Sequence, residues 1–154
     1  MVFCRGARTA QALHAVLSAA LPSQHFGLLH GEVPPDARDD ALRAFQEEAV
    51  GVLLCTDVAA RGLDFPRVRH VIMYDFPKDA PTFIHRAGRT ARRGAGGLLT
   101  CFVAHADMPL YRQIRQGEAQ PGSALQQSAG RLGAAPERRR RPPPRKKLAS
   151  RTGS

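Results

Sequence analysis

The sequence predicts an α/β domain, a parallel sheet with helices on both faces, followed by a basic tail. Three observations predict it. Short apolar runs alternate with amphipathic stretches over residues 1–116, the order that builds a parallel sheet from strand–helix–strand units. One run, residues 50–55, is uninterrupted by any polar residue except Gly51, as a strand covered on both faces requires. After Gln116 the alternation stops and Gly, Pro, Gln and Ser take over, a composition that cannot bury enough apolar surface to offset its ordering entropy.

Each element follows from its local pattern. Residues 2–4 read as a short buried strand. Residues 9–20 read as a helix, with Ala12, Leu13, Val16, Leu17 and Ala20 at helical spacing. Residues 26–29 form a second strand. Residues 35–46 form a helix that places Pro35 in its first turn, where a missing N–H costs nothing, with Ala37, Ala41, Leu42 and Phe45 turned inward. Residues 50–55 and 68–74 are the third and fourth strands. A helix over 79–92, a strand over 98–103 and a helix over 107–116 complete the domain. Right-handed crossovers are expected. No internal repeat is visible.

The net charge of +10 points to a polyanionic partner. Most of the excess lies after Gly130, in Arg131, Arg138, Arg139, Arg140, Arg141, Arg145, Lys146, Lys147 and Arg151, against the single acid Glu137. The globular part is only mildly basic, so the tail says nothing about its chemistry. Residues 117–154 are expected to be disordered, and Pro142, Pro143 and Pro144 exclude a helix there. Such a tail suits weak, salt-sensitive binding to nucleic-acid phosphates; an address for a transport receptor, or compositional bias, are the alternatives. Lysine occurs only at 78, 146 and 147, and the same bias accounts for the arginine excess. Cys4, Cys55 and Cys101 sit inside apolar runs without metal-ligand spacing, as small buried hydrophobes of a reducing, intracellular compartment do. No apolar run approaches the ~20 residues that span a bilayer. The chain opens directly on a strand, without a signal peptide, as a piece of a longer chain would.

Ligands of a parallel sheet bind at the carboxyl ends of its strands. Arg5-Gly6, His30-Gly31, Thr56-Asp57, Asp75 and His105 follow the predicted strands and are the candidates. Two segments are denser. In His85-Arg86-Ala87-Gly88-Arg89-Thr90-Ala91-Arg92, a continuous helix puts His85, Gly88, Arg89 and Arg92 on one stripe. Two arginines about a turn apart can grip one phosphate through charge-assisted bonds, where the bland reading is a solvated basic face. In Thr56-Asp57-Val58-Ala59-Ala60-Arg61-Gly62-Leu63-Asp64, Thr56 and Asp57 either cap an ordinary helix or open an anion site at its N-terminus. Spacing alone leaves both readings open.

In this order and spacing the segments resemble the DEAD-box ATP-dependent RNA helicases. Thr56 to Asp64 looks like that family's motif V and His85 to Arg92 like its motif VI. Val2-Phe3-Cys4 resembles motif IV, His30-Gly31 through Arg38 resembles its HG and Q-x-x-R element, and Val71-Ile72-Met73-Tyr74-Asp75-Phe76-Pro77 resembles the strand between motifs V and VI. The resemblance covers residues 1–116. Three positions depart from it: Pro35 stands for the glutamine of Q-x-x-R, Gly6 for a threonine or serine, and Ala91 for a glycine, a change that a helix would tolerate. The combination is most similar to organellar members linked to ribosomal RNA, an organelle or the nucleolus then being the compartment.

The resemblance implies a RecA-like lobe, the second of two that hold ATP between them. The chain contains no G-x-x-x-x-G-K-[ST] and no Asp-Glu-Ala-Asp; those motifs, which hold the phosphates and Mg2+, belong to the N-terminal RecA-like lobe. The family pattern implies that Arg89 and Arg92 stabilise charge on the γ-phosphoryl group. Asp64 reaches the ribose and Gly62 permits the turn before it. His85 and Arg61 couple the lobes. Gly31, Arg38 and Thr56 line the backbone of single-stranded RNA without reading sequence. A stand-alone, non-catalytic RNA-binding module is the alternative from another class; a DNA-directed helicase is a third, disfavoured by the Arg-Gly-Leu-Asp and Tyr-Asp-Phe-Pro elements.

Overall fold

The computed structural model describes residues 1–60, 65, 68–92, 96–118 and 132–134. Its elements are β1 (Val2–Phe3), α1 (Ala7–Ala20), β2 (Phe26–Leu29), α2 (Pro35–Gln46), β3 (Val52–Cys55), a 3₁₀ turn over Asp57–Ala60, β4 (His70–Met73), α3 (Ala80–Ala87), β5 (Gly97–Cys101), a 3₁₀ turn over His105–Asp107, α4 (Met108–Glu118) and β6 (Leu132–Ala134). The strands form one sheet in the order β2-β3-β1-β4-β5-β6, and every pairing is parallel. This is the predicted α/β architecture. The order reverses between β1 and β4, which places the crevice expected of such sheets beside the carboxyl ends of those two strands.

Register explains the core. Phe3 pairs with Cys55 and with Met73, and Leu29 pairs with Cys55, so these side chains share one face of the sheet. Phe3, Leu29, Leu53, Cys55, Phe65 and Val71 are buried together there, and Leu42 and Phe45 of α2 pack on them. A second cluster joins Met73 and Phe76 to Phe83 and Ala87 of α3 and Ile114 of α4. Each large side chain so buried contributes about 1.5–3 kcal/mol.

Three helix readings need correction. In α1 the inward positions are Ala10, Leu13, His14 and Leu17, whereas Ala12 and Ala20 are exposed and Val16 is 63% exposed. The apolar pattern there is wider than the face β2 and β3 can cover. In α2, Ala37 is exposed and Arg38 is the half-buried residue, because the helix rotates Leu42 and Phe45 onto the core. The helix foreseen over 79–92 is α3 and ends at Ala87. Asp79 starts it, its Oδ1 accepting from the Thr82 amide at 2.7 Å, with Pro81 in the first turn. Gly88 caps it, and Ala91 adopts the left-handed region at φ 55°, which breaks any helical repeat.

The foreseen disordered tail lies mostly outside the described residues. Within it, α4 runs to Glu118 and β6 pairs with Gly97, Leu98 and Leu99 of β5.

Candidate functional site

Tertiary contacts close the turn after α3. Gly88 N donates to Ile84 O at 2.8 Å, Arg89 N to Arg86 O at 3.1 Å and Thr90 N to Ala87 O at 3.2 Å. The buried Thr90 hydroxyl donates to Val68 O at 2.5 Å, just before β4. Gly97, at the start of β5, lies so close that an added Cβ would meet Ala91 N at 2.7 Å. His85, Gly88, Arg89 and Arg92 therefore do not form the foreseen helical stripe: His85 and Gly88 are at the helix end, and both arginines are in the turn beyond it. His85 is exposed, and Arg89 and Arg92 are half-buried. Their Nε atoms donate four residues back, Arg89 to His85 O at 3.2 Å and Arg92 to Gly88 O at 2.6 Å.

At the carboxyl ends of the strands a different arginine organises the site. Arg86 is 2% exposed. Its Nε donates to Asp57 Oδ1 at 2.6 Å and its Nη2 to Asp57 Oδ2 at 3.1 Å. Its Nη1 donates to Asp75 O at 2.8 Å, and its guanidinium sits 5.4 Å from the Phe3 ring centroid. Asp75 accepts from the Arg5 amide at 2.7 Å. One guanidinium thus joins the ends of β1, β3 and β4. A buried charge needs such a full set of partners, because its desolvation is otherwise uncompensated. Reading strand ends found Arg5, Asp57 and Asp75 but missed Arg86. The signal was present: Phe83, Arg86 and Ala87 share one helical stripe, so Arg86 falls on the apolar face.

Beside this cluster lie the ends of β2 and β3. Thr56 N donates to Leu29 O at 3.1 Å. His30 is buried; its Nδ1 accepts from the Glu32 amide at 3.2 Å and its Nε2 lies 3.2 Å from Gln11 Nε2. This holds the turn that exposes Gly31, whose added Cβ would lie 3.9 Å from Val58. Gly31 and Thr56 therefore follow neighbouring hydrogen-bonded strands. Arg38 is half-buried on α2, and its Nε is buried without a hydrogen-bond partner. At the other end of the edge, Tyr74 and Phe102 form an exposed T-shaped pair at 5.9 Å, unforeseen because each looks like an ordinary strand residue. Arg61, Gly62 and Asp64 lie outside the described residues.

Cys4 and Cys55 behave as buried hydrophobes, whereas Cys101, read with them from the sequence, is only partly buried. Burial raises Cys4 to about 11, and burial pushes Cys55 higher still; neither is a thiolate at neutral pH. Among the described residues no group of three or more His, Cys, Asp or Glu could hold a metal ion, and no helix is long and apolar enough to cross a membrane.

Residues 1–94 match the family described as helicase conserved C-terminal domain. The ATP-dependent RNA helicase dbp-8 of Neurospora crassa is 43% identical over 116 residues, covering 75% of this chain and 18% of that protein. The ATP-dependent rRNA helicase rrp3 of Aspergillus niger is 41% identical over 118 residues, 74% of this chain and 24% of that protein. The solved structure of Mss116p DEAD-box helicase domain 2 bound to an RNA duplex superposes with a TM-score of 0.70 at 29% identity, over 77% of this chain and 47% of that one. The chain spans about a fifth of the length of these two curated relatives.

Proposed function

This chain belongs to the helicase conserved C-terminal domain family, in its DEAD-box form, and from that premise we propose that it is the second lobe of an ATP-dependent RNA helicase. In this reading the lobe binds one side of ATP and part of a single-stranded RNA path, and the N-terminal lobe of the same protein supplies the rest. The similarity to rrp3 supports ribosomal RNA as the target class. RNA contacts through the backbone leave the lobe without sequence preference.

Arg89 and Arg92 are the proposed catalytic residues. The observation that carries this assignment is the turn itself. Thr90 is bonded to Val68 and lies against Gly97, so the turn that carries both guanidinium groups is anchored beside β4 and β5. Preorganised cations stabilise charge that develops on a transferred phosphoryl group, with little left to reorganise during the reaction. Asp64 and Gly62 are assigned to the ribose side, and His85 and Arg61 to contact with the first lobe. Mg2+ neutralises phosphate charge when bound, and we assign its ligands to the first lobe. Gly31, Arg38 and Thr56 are assigned to RNA. The buried, unpartnered Arg38 Nε and the adjacent ends of β2 and β3 support that assignment. Closure of the two lobes on ATP, and reopening after hydrolysis, would separate strands locally.

The test is steady-state ATP hydrolysis with and without single-stranded RNA. The purified chain alone is expected to show none, and the protein containing both lobes is expected to show RNA-stimulated turnover. Hydrolysis by the chain alone, abolished by Arg92→Ala, would overturn the two-lobe reading. A non-catalytic RNA-binding module, the alternative, predicts RNA binding with no turnover even when both lobes are present.

A further inference from the structure

We infer that Arg86 and Asp57 are positioning residues for RNA: their ion pair sets the geometry of the loop after β3 and ties it to the arginine turn. The inference rests on the RNA path proposed above. Thr56 and Asp57 are consecutive, so whatever holds Asp57 also sets the direction of Thr56. Asp57 is gripped by two nitrogens of one guanidinium, at 2.6 and 3.1 Å. That guanidinium is 2% exposed, whereas the Asp57 side chain is 42% exposed. Arg86 therefore lies behind the loop, turned away from any ligand. Its remaining nitrogen is committed to Asp75 O, and its planar face to Phe3. A lysine cannot reproduce this fork.

The same residue leads directly into the turn. Arg86 O accepts from Arg89 N at 3.1 Å, so Arg86 links the loop that carries Thr56 to the turn that carries Arg89 and Arg92. Displacing the loop after β3 moves the arginine turn with it, and the RNA path and the nucleotide arginines then shift as one body. Packed side chains and hydrogen bonds of this kind are one route by which two sites are coupled.

Electrostatics and positioning predict opposite signs, which makes the idea testable on this chain. Asp57→Asn removes a half-exposed negative charge near a polyanion. By Coulomb attraction alone, RNA should then bind more tightly. If the pair positions Thr56, RNA should bind more weakly, by roughly tenfold, the loss of about one well-placed contact. The experiment titrates fluorescent single-stranded RNA against the chain, Asp57→Asn and Arg86→Lys at several salt concentrations, well below the melting temperature of each. Arg86→Lys keeps the charge and loses only the fork. Asp57→Asn leaves the buried Arg86 guanidinium without its counter-charge, so circular dichroism and urea melts verify that both variants are folded under the binding conditions. The expected result is weaker binding by both, with the slope of log affinity against log salt unchanged, since neither residue touches a phosphate. Unchanged or tighter binding by Asp57→Asn overturns the inference. So does a shallower slope for Arg86→Lys, which would make Arg86 a direct phosphate ligand. Failure of the unaltered chain to bind RNA overturns the RNA path itself, an outcome separate from any effect of the variants.

Discussion

Arg86 and the pair Arg89–Arg92 stand within seven residues of one another, yet the fold treats them in opposite ways. Arg86 is on the last turn of α3, facing the core, and all three of its nitrogens bond within the domain. Arg89 and Arg92 lie past the helix end, half-buried, on a turn pinned by Thr90 to Val68 and packed on Gly97. The difference comes from where the helix stops. Were α3 continued to residue 92, Arg89 would fall about 60° from Arg86 and Arg92 further still, on one broad basic face. Ending it at Gly88 sends the chain in a new direction. The lesson is that an arginine-rich motif divides into a structural arginine and presented arginines through backbone geometry, while the side chains are identical.

The largest expected effect tests the presented pair. In the protein carrying both lobes, Arg92→Ala or Arg89→Ala should lower ATP turnover by about 10³–10⁵ and leave affinity for single-stranded RNA within about twofold. Turnover and RNA binding are measured on the same preparations. Mutants that lose RNA affinity and keep turnover would reverse the roles assigned to the turn.

Breaking the structural arginine should instead appear as lost stability. Arg86→Ala leaves Asp57 and the Asp75 carbonyl without their donor. Removing one partner of a buried pair costs about 3–5 kcal/mol, but water can reach the half-exposed Asp57, so about 2–3 kcal/mol is expected in a urea melt of the chain. A loss below ~1 kcal/mol would mean that Arg86 does not hold the strand ends together.

How much of this was legible follows from the kind of force involved. Five strands, β1 to β5, and four helices were readable because apolar periodicity reports which faces are buried. The strand-end rule located Arg5, His30, Thr56, Asp57 and Asp75. Helix termination at Ala87 was not readable, because it depends on a hydroxyl bond from Thr90 to Val68, twenty-two residues back in the chain, and on the close approach of Gly97. Arg86 was hidden for a related reason. Its partner Asp57 is twenty-nine residues away, and Asp57 by itself looked like a helix cap. The over-wide apolar faces read for α1 and α2 have a simple cause at Ala12, Ala20 and Ala37: alanine is apolar enough to fit the pattern and small enough to be left outside; Val16 lies on the part of α1 that the sheet does not cover.

The turn also stores strain, and relieving it is a smaller, opposite effect. Ala91 is nearly buried and left-handed, a conformation that costs a non-glycine residue about 1–2 kcal/mol. Glycine there loses about 0.5–1 kcal/mol more backbone entropy on folding, so Ala91→Gly should stabilise the chain by about 0.5–1 kcal/mol in the same urea melt. Destabilisation would show that the Ala91 methyl group packs better than its backbone is strained. Sequence reading had placed Ala91 on a helix, where the glycine substitution would be destabilising; stabilisation would therefore speak for the observed turn and against a continuous helix.

The smallest expected effect concerns the strands beneath the turn. His70 opens β4, 2.9 Å from the Thr100 hydroxyl on β5. Its pKa is lowered from the ordinary histidine value, first by burial and then by the nearby terminal ammonium. A base with a lowered folded pKa is bound in its neutral form, so below pH 6.5 the unfolded chain takes up more protons than the folded one. The His70 contribution to stability should therefore be full above pH 7 and decline as pH falls through 6.5, levelling off once pH passes below the folded value. Melting temperatures from pH 8 to 5 should show this fall, and His70→Gln, which keeps a hydrogen-bonding group without titrating, should flatten it. An equal fall in the variant would assign the pH dependence to another group and leave the β4–β5 pairing that supports Thr90 and Gly97 insensitive to His70.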